Sequence, residues 1–361
     1  MHVTFVGGFD PTVPEAGGTR TYVLGLAARL RDRGVGVTLV ARDGSGRPPE
    51  GIEYFRVASG PTSVRFFLRL LTAAPRLAIP QDSILHVQRP DHLVPFVAAK
   101  RRLAAVCTLH GIPARGIRRR RGVGYASLYA GLEGIGLRRS DRVIAVDATT
   151  LRWYEDRYPW LAGRTTVVPV AVDTDRFRPM DRDAARQRFG VSAKYAVVYA
   201  GRLTVEKRVD AIVSAVSELP DAELLVAGSG PEEPRLRQLA RGAPVRFLGT
   251  IPHEEMPPLL NAADALLLPS EYEGLPTVAL EGLACGVPIV ATPVGAIPEL
   301  VVPGRTGWLL SDVSALSLTL AEALPSARGL REACVAAARP YAWDHVVERV
   351  LAVYRAAEEA A

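Results

Sequence analysis

Short apolar runs alternate with longer amphipathic segments along the first half of the chain. Each run has the length of a strand and is nearly continuous, which is typical of parallel strands covered on both faces. The segment 18–34 separates the first two runs and has helical spacing. We therefore expect strands and helices to alternate around a doubly wound parallel sheet. The runs are HVTFVGG (2–8), VGVTLVA (35–41), SILHVQ (83–88), AAVCTLHG (104–111), RVIAVD (142–147) and TTVVPV (165–170).

The alternation breaks in residues 169–183, which mix Pro, Asp and Arg, and then starts again. We interpret the break as a linker near 170–185 between two Rossmann-like α/β domains. The second series of runs is YAVVYAG (195–201), ELLVAGSG (223–230), VRFLGT (245–250), ALLLPS (265–270) and PIVAT (288–292). The chain ends in a predicted amphipathic helix, whose apolar face contains Val346, Val347, Val350, Leu351 and Tyr354.

The composition is that of a globular protein. With 361 residues, of which 48% are hydrophobic and 23% charged, two domains are expected rather than one. No apolar run reaches the roughly 18 residues of a membrane span, and the opening MHVTFVGGFDPT lacks the basic region of a signal peptide. Cys107, Cys285 and Cys334 are too widely spaced for a disulfide framework or a cysteine metal site. These features predict a protein of the reducing cytoplasm.

The net charge of +6 is unevenly distributed. Basic residues exceed acidic ones in residues 1–180, whereas acidic residues are in excess in residues 181–361. A basic half attracts phosphates, acidic lipids or nucleic acid. It is equally typical of a solvated surface that has no anionic partner.

Ligands of open parallel sheets bind beside the carboxyl ends of the strands, so the residues directly after each apolar run are the first candidates. Gly17 and Gly18 precede the first helix, where small residues and free backbone amides allow a phosphate to approach. A simple turn is the competing interpretation. His110 ends a strand at the expected crevice between the domains, where a histidine is either catalytic or a structural hydrogen-bond partner.

Arg202 and Lys207 lie in AGRLTVEKR (200–208), just after the first strand of the second series. Both cations are placed to bind one diphosphate, the arginine as a fork and the lysine as a point charge. A surface ion-pair cluster with Glu206 would explain the same spacing without a ligand.

The segment EYEGLPTVALEGLACG (271–286) has a carboxylate on each side of a helix start. A proline suits the first turn of that helix, and Gly286 suits its end. The first turn therefore offers free amides to an anion, with one carboxylate in the loop and the other about one turn into the helix. A sugar nucleotide has this distribution of hydroxyls and phosphates. The expected contacts are Glu273, Gly274, Leu275, Pro276, Thr277, Val278 and Glu281.

Together, these features resemble the retaining glycosyltransferases of glycosyltransferase family 4, which have the GT-B fold. The resemblance extends over nearly the whole chain, and its most specific element is the E-x7-E pattern of 271–286. The other motifs are GGTRTYVLGLAARLRDRG, TLHG, VPVAVDTDRFRP, YAGRLTVEKRVD, VAGSGP and RFLGTIPHEEMPPLLNAAD.

The resemblance implies two facing Rossmann-like domains with a cleft between them. The N-terminal domain, 1–175, would bind the acceptor and would be completed by a C-terminal helix at about 343–361. The second domain, 176–342, would bind the nucleotide sugar. Within it, Glu281 would hold the ribose hydroxyls, Glu273 would contact the donor sugar, and Arg202 and Lys207 would bind the diphosphate.

In the N-terminal domain, Gly17 and Gly18 would cover the phosphates, and His110 would touch the donor sugar beside the reacting carbon. The implied reaction moves a hexosyl unit from a UDP- or GDP-linked sugar to an acceptor hydroxyl, with retention of configuration. No cofactor or metal is expected, because cations and backbone amides stabilise the leaving diphosphate. The D-x-D pattern of 173–175 lies in the linker and is interpreted as structural rather than metal-binding.

The acceptor is expected on the basic N-terminal domain. The loop ARGIRRRRG (114–122) follows His110, and its arginines have four alternative partners: a lipid phosphate at the membrane, a phosphorylated sugar, an anionic glycan, or only solvent. The acceptor is thus a glycan, a lipid or a small molecule. The protein would be cytoplasmic, either free or in peripheral contact with the inner face of an anionic membrane. The arginines are Arg115, Arg118, Arg119, Arg120 and Arg121.

Other functions fit parts of the pattern. Sugar-nucleotide epimerases and glycan phosphorylases also use two Rossmann domains, but the pairing of Arg202 and Lys207 with Glu273 and Glu281 favours a transferase. A nucleic-acid-binding protein would use the basic half, yet the chain lacks the interleaved aromatic residues of a stacking platform. We therefore expect no nucleic-acid partner.

Overall fold

A computed structural model of the protein describes residues 1–12, 18–44, 46, 50–57, 63–99 and 103–361, apart from the side chains of 63 and 114–121. The described residues form two compact units. Unit 1 comprises Met1–Val170 and Asp344–Ala361, and unit 2 comprises Ala171–Trp343.

Unit 1 is built on a sheet of seven parallel strands in the order β3-β2-β1-β4-β5-β6-β7. The strands are β1 (His2–Gly7), β2 (Gly36–Arg42), β3 (Glu53–Val57), β4 (Ser83–Val87), β5 (Ala105–Leu109), β6 (Arg142–Ala145) and β7 (Thr165–Val167). The helices among the described residues before the linker are α1 (Gly18–Arg31), α2 (Ser63–Ala73), α3 (Val94–Ala98), α4 (Pro113–Arg139) and α5 (Ala148–Arg157).

Unit 2 contains a sheet of six parallel strands in the order β10-β9-β8-β11-β12-β13. Its strands are β8 (Tyr195–Ala200), β9 (Ala222–Ala227), β10 (Val245–Gly249), β11 (Ala265–Leu268), β12 (Ile289–Ala291) and β13 (Gly307–Leu309). Its helices are α6 (Arg182–Arg188), α7 (Val209–Ser217), α8 (Glu233–Leu239), α9 (Met256–Ala262), α10 (Thr277–Ala284), α11 (Ile297–Leu300), α12 (Leu316–Ala323) and α13 (Arg331–Ala338).

Both sheets have the Rossmann strand order, in which the first strand of the unit lies between the second and the fourth. The central strands are buried along their whole length, as every residue of β4, β5 and β11 shows. Continuous burial of this kind requires cover on both faces of a sheet, which is why these strands read as apolar runs. The prediction of two doubly wound parallel α/β units is confirmed.

Three elements differ from the expectations. The edge strands β3 and β13 were not predicted, because their partly exposed positions break up the apolar run that marks a buried strand. The expectation of an arginine-rich loop is wrong for the backbone, since helix α4 already begins at Pro113. Proline suits a first helical position and arginine favours helices. The chain bends at Gly122, where φ is 79° and ψ is 175°.

The C-terminal helix α14 (Trp343–Ala360) belongs to unit 1 from Asp344 onward. The buried Tyr354 hydroxyl lies 2.7 Å from Nδ1 of His86 in β4, and Nε2 of the same ring lies 2.7 Å from Oγ1 of Thr108 in β5. The predicted amphipathic character is confirmed, because Val346, Val347, Val350 and Tyr354 are all buried. None of the helices in the described part of the chain has the length and apolar character that a membrane crossing needs.

A buried carboxylate connects several elements of unit 2. The side chain of Asp264, which precedes β11, is fully buried and lies 2.8 Å from Nη2 of Arg182 and 3.0 Å from Nε of Arg328. It also lies 3.5 Å from Nη1 of Arg186 and accepts a hydrogen bond from the Ala196 amide. One negative charge therefore compensates three guanidinium groups.

We expect Asp264→Asn to lower the free energy of unfolding of unit 2 by about 3 kcal/mol, because three cations lose their common carboxylate. Urea unfolding followed by hydrogen exchange in unit 2 peptides measures this loss. The control is Asp221→Asn, which removes an exposed carboxylate 3.9 Å from Lys194 and should change stability by less than about 0.5 kcal/mol. Equal losses in both variants would contradict the role assigned to Asp264.

Candidate functional site

Strands β8 and β11 are neighbours in unit 2, so the loops that follow them lie side by side at the carboxyl edge of the sheet. The amide of Glu271 donates a 2.8 Å hydrogen bond to the carbonyl of Glu206, which joins the two loops directly. This is the position at which open parallel sheets bind ligands. It brings together residues that are more than 60 positions apart in the chain.

Lys207 and Glu273 meet at this edge. The ammonium Nζ of Lys207 lies 2.5 Å from Oε1 of Glu273, and the Ser270 hydroxyl donates to the same oxygen at 2.7 Å. The two charged side chains are only 18% and 11% exposed, so the pair is partly desolvated and its attraction is stronger than on the surface. The sequence analysis did not predict Ser270 as a member of this cluster.

Arg202 is held at the same edge through its backbone. Its carbonyl accepts a 2.8 Å hydrogen bond from the buried Tyr199 hydroxyl, whereas its side chain is exposed. Among the described residues, its guanidinium forms no hydrogen bond or ion pair. The loop packs tightly on the one after β9, because a Cβ on Gly228 would lie 1.9 Å from the carbonyl oxygen of Gly201.

Helix α10 begins at Thr277, after Pro276 in an extended conformation. No side chain caps this end, so the amides of Thr277 and Val278 have no acceptor within the helix. The loop before α10 is stabilised by a hydrogen bond from a later segment, in which the amide of Ala296 donates to the carbonyl of Gly274 at 3.0 Å. The open turn predicted for 275–278 is therefore present.

The carboxylate of Glu281, one turn into α10, is contacted by His253, which is in turn contacted by Arg176; sequence reasoning missed both residues. Nε2 of His253 lies 3.2 Å from its Oε1, and Nη1 of Arg176 lies 2.8 Å from the other ring nitrogen, Nδ1. Because an arginine only donates, Nδ1 is the acceptor and Nε2 carries the proton toward Glu281. Separations of 28 and 77 residues left no local signal for these contacts.

The D-x-D pattern of the linker forms a turn. Oδ1 of Asp173 accepts hydrogen bonds from the amides of Asp175 and Arg176, at 3.2 and 3.1 Å. These bonds give the first carboxylate a local structural role.

In unit 1, His110 follows β5 and Gln88 follows the neighbouring strand β4. Nε2 of His110 lies 2.8 Å from Oε1 of Gln88, and the edge of Tyr22 packs against the histidine ring at 5.5 Å between centroids. Burial lowers the pKa of His110 to about 4, so its ring is neutral at pH 7. Gln88 was not among the residues predicted for the site.

The remaining predicted residues of unit 1 are less defined. Gly18 is the first residue of α1, whereas Gly17 lies outside the described residues. The backbone of the arginine-rich segment belongs to α4, but its side chains also lie outside that part of the structure. The roles of Arg115, Arg118, Arg119, Arg120 and Arg121 stay predictions.

Similarity to known proteins covers both units. Residues 16–176 match the model of Glycosyltransferase Family 4, and residues 194–325 match that of Glycosyl transferases group 1. The D-inositol 3-phosphate glycosyltransferase of Geodermatophilus obscurus is 30% identical, over 97% of this chain and 87% of that protein. The protein of the same name from Mycolicibacterium paratuberculosis is 36% identical over a shorter stretch, 54% of this chain and 48% of its own length.

Solved structures share the fold at lower identity. Sucrose-phosphate synthase from Thermosynechococcus elongatus matches all of both chains with a TM-score of 0.85 and 23% identity. The Anabaena protein HepE, solved in complex with UDP-glucose, matches 98% of both chains with a TM-score of 0.75 and 19% identity. From the two family models, the full-length relative and the shared architecture, we conclude that the chain is a glycosyltransferase and belongs to glycosyltransferase family 4.

Proposed function

We propose that the protein transfers a hexosyl unit from a UDP- or GDP-linked sugar to an acceptor hydroxyl, with retention of configuration and without a metal ion. The observation that carries this proposal is the cluster of Lys207, Ser270 and Glu273, of which Ser270 and Glu273 lie in the loop before the open first turn of α10. Cations and free amides suit a diphosphate, and carboxylates suit the hydroxyls on either side of it. The curated relatives named above are glycosyltransferases, which favours transfer over epimerisation or phosphorolysis.

The charges of the cluster fit the bond that must break. When the bond between the anomeric carbon and the phosphate oxygen breaks, negative charge develops on the diphosphate. Arg202, Lys207 and the amides of α10 would stabilise that charge, which is why no metal is required. The acceptor oxygen then bonds to the same face of the anomeric carbon, and its proton passes to the departing phosphate oxygen.

The buried end of the site suits a ribose. Glu281 is largely buried, and His253 donates a hydrogen bond to only one of its carboxylate oxygens. The remaining acceptor positions of Glu281 are available to two neighbouring ribose hydroxyls. Arg176 would fix the ring of His253 from the other side. The ribose would therefore bind to a carboxylate whose position is set before the ligand arrives, which lowers the cost of ordering it.

The acceptor class follows the relatives. Two of them are named for D-inositol 3-phosphate, a small phosphorylated acceptor, and this compound is therefore the first acceptor to test. An anionic glycan and a lipid phosphate at the inner membrane face are the other members of the proposed class. Arginine forks suit the phosphates of each.

The proposal is tested by calorimetric titration of wild type, Glu281→Ala and Glu322→Ala with UDP, GDP, ADP and dTDP. We expect the wild type to prefer UDP or GDP, and Glu281→Ala to lose at least tenfold in affinity, because two hydroxyl contacts disappear. Glu322, exposed on α12, is the control and should leave the affinity unchanged. Absence of nucleotide binding, or equal affinity in all three proteins, would refute the proposed site.

Turnover then defines the reaction. The preferred nucleotide is supplied with its glucose, N-acetylglucosamine or mannose derivative, with D-inositol 3-phosphate and with vesicles that contain anionic lipid. NMR of the product identifies the anomer, and EDTA should not lower the rate. An inverted anomer would overturn the retaining mechanism, and loss of the rate in EDTA would overturn metal independence.

The loop of Glu273 depends on Gly295. This residue has a φ of 58°, and a Cβ would lie 2.4 Å from the carbonyl oxygen of Glu273 and 2.5 Å from that of Gly274. We expect Gly295→Ala to displace the loop and to lower kcat/KM by about tenfold or more, since small misplacements of binding groups are costly. Steady-state kinetics with the preferred donor measures the effect.

Gly304→Ala is the matched control for this prediction. Gly304 has a φ of 71°, but nothing lies within 4 Å of an added Cβ. Both alanines therefore have the same left-handed backbone cost of roughly 1 kcal/mol, and only one has the clash. A similar loss of activity in both variants would assign the effect to stability rather than to the loop.

A further inference from the structure

Gln88 and His110 lie at the ligand edge of the unit 1 sheet. They follow β4 and β5, which are neighbours. The backbone N–H of Gln88 donates a 3.2 Å hydrogen bond to the carbonyl of Val6 in β1. Strands β1 and β4 flank the point where the strand order of the sheet reverses. Ligands of Rossmann units bind outside the carboxyl ends at this point. The two side chains therefore lie where a substrate of unit 1 is expected.

The hydrogen bond between them defines the protonation of the histidine. Oε1 of Gln88 is an acceptor, so the Nε2 of His110 that contacts it at 2.8 Å carries the proton. Nδ1 is then the unprotonated nitrogen of the ring. Burial, which disfavours the charged imidazolium, keeps the ring neutral.

The other end of the carboxamide has no protein partner among the described residues. Gln88 is only 3% exposed, and its Nε2, which bears two donor hydrogens, is buried without an acceptor. Buried polar groups nearly always have a hydrogen-bond partner, because an unpaired donor loses its hydration without compensation. An unpaired buried donor at a ligand edge is therefore expected to bind an acceptor atom of the ligand.

We propose that Gln88 is a substrate-binding residue whose Nε2 donates to a sugar or cyclitol hydroxyl, while its Oε1 positions His110. This inference rests on the proposed function, which supplies a substrate rich in hydroxyls. The hydroxyl belongs either to the transferred sugar of the donor or to the acceptor, and both sources present the same oxygen acceptor. Gln88 thus contributes to the specificity of the reaction as well as to the orientation of the histidine.

The test compares wild type with Gln88→Met and Gln88→Glu. Methionine has a similar length and no donor, and glutamate keeps the oxygen that contacts His110 but carries no donor hydrogens when ionised. Calorimetry gives the affinity for UDP alone and for the UDP-sugar with the highest turnover. Steady-state kinetics gives the KM of the acceptor, and thermal unfolding gives Tm. If GDP is the preferred nucleotide, GDP and the GDP-sugar with the highest turnover replace UDP and the UDP-sugar in these measurements.

In Gln88→Met we expect the affinity for the free nucleotide to stay within about twofold. Either the affinity for the nucleotide sugar falls or the acceptor KM rises by about tenfold, as loss of one hydrogen bond predicts. The first outcome assigns the hydroxyl to the donor sugar, and the second assigns it to the acceptor. Tm should change little, because removal of the unpaired donor offsets the loss of the oxygen that accepts from His110.

Gln88→Glu provides a readout that a merely structural residue would not change. The added negative charge favours the imidazolium, so the NMR titration of His110 should move upward by about one pH unit or more. The activity of this variant should then depend on pH over the same range. An unshifted titration would contradict the contact between the two side chains.

Thr108→Val is the control for loss of a buried polar contact in the same sheet, since Thr108 bonds to His86 rather than to the site. It should lower Tm without changing either substrate constant. Unchanged substrate constants in Gln88→Met, with nucleotide still bound, would overturn the role of Gln88. Failure of the wild type to bind any nucleotide would count against the proposed function instead.

Discussion

Lys207→Met is expected to lower kcat by about 100- to 1000-fold, because the charge that develops on the leaving diphosphate loses a partly desolvated cation. The ammonium of Lys207 lies 2.5 Å from Glu273, and the lysine side chain is 18% exposed. Its charge is therefore held in place by Glu273. Steady-state kinetics with the preferred nucleotide sugar measures the loss.

Lys194→Met is the matched control for this variant. Lys194 also belongs to unit 2, but it is 63% exposed and lies 3.9 Å from the exposed Asp221. We expect its removal to change kcat by less than twofold. A fall in kcat of equal size in the two variants would contradict a local role for Lys207, as would a Lys207→Met protein that keeps full activity.

Acidification below pH 6 is expected to destabilise unit 1 steeply. Burial lowers the pKa of His86 to about 3 and the pKa values of His92 and His110 to about 4, well below the ordinary value of 6.5. Below pH 6.5 the unfolded chain therefore binds three protons that these folded-state rings exclude. The stability from these neutral rings is complete above pH 6.5 and is lost as the pH falls toward about 4.

The slope expected from the three histidines is about 4.1 kcal/mol per pH unit between pH 6 and about pH 4.5, since each contributes about 1.4 kcal/mol per unit. Urea unfolding at several pH values, followed by hydrogen exchange in unit 1 peptides, measures the slope. His92→Gln should reduce it by about a third. His345→Gln, on the exposed side of α14, is the control and should leave it unchanged. Equal slopes in His92→Gln and wild type would refute the assignment.

Local sequence patterns predicted most of the fold because burial and periodicity are coupled. Strand β11 is buried at every position, and the sequence ALLL shows this as a continuous apolar run. The edge strand β13, with the sequence GWL, has two half-buried positions and carries no such pattern. Its existence depends on pairing with β12, which is a long-range interaction that a window of residues does not contain.

The start and end of α10 are also determined by neighbouring residues in the sequence. Pro276 precedes the first helical residue and cannot donate a backbone hydrogen bond, so it tolerates the open end of a helix. Gly286, at a φ of 81°, ends the helix in a conformation that other residues adopt at a cost. The two carboxylates of the E-x7-E pattern acquire their places, in the loop and one turn into the helix, from these two boundaries.

The sequence by itself therefore determined the order of the buried strands and of the helices between them, the bounds of α10 and the charged residues that follow the strands. The tertiary structure decided which of these residues meet. Lys207 pairs with Glu273, His253 reaches Glu281, and Gln88 contacts His110. The physical reason is the parallel sheet, which aligns the carboxyl ends of strands that are distant in the chain. Local periodicity records the burial of each strand, whereas its neighbours are chosen by packing of the whole unit.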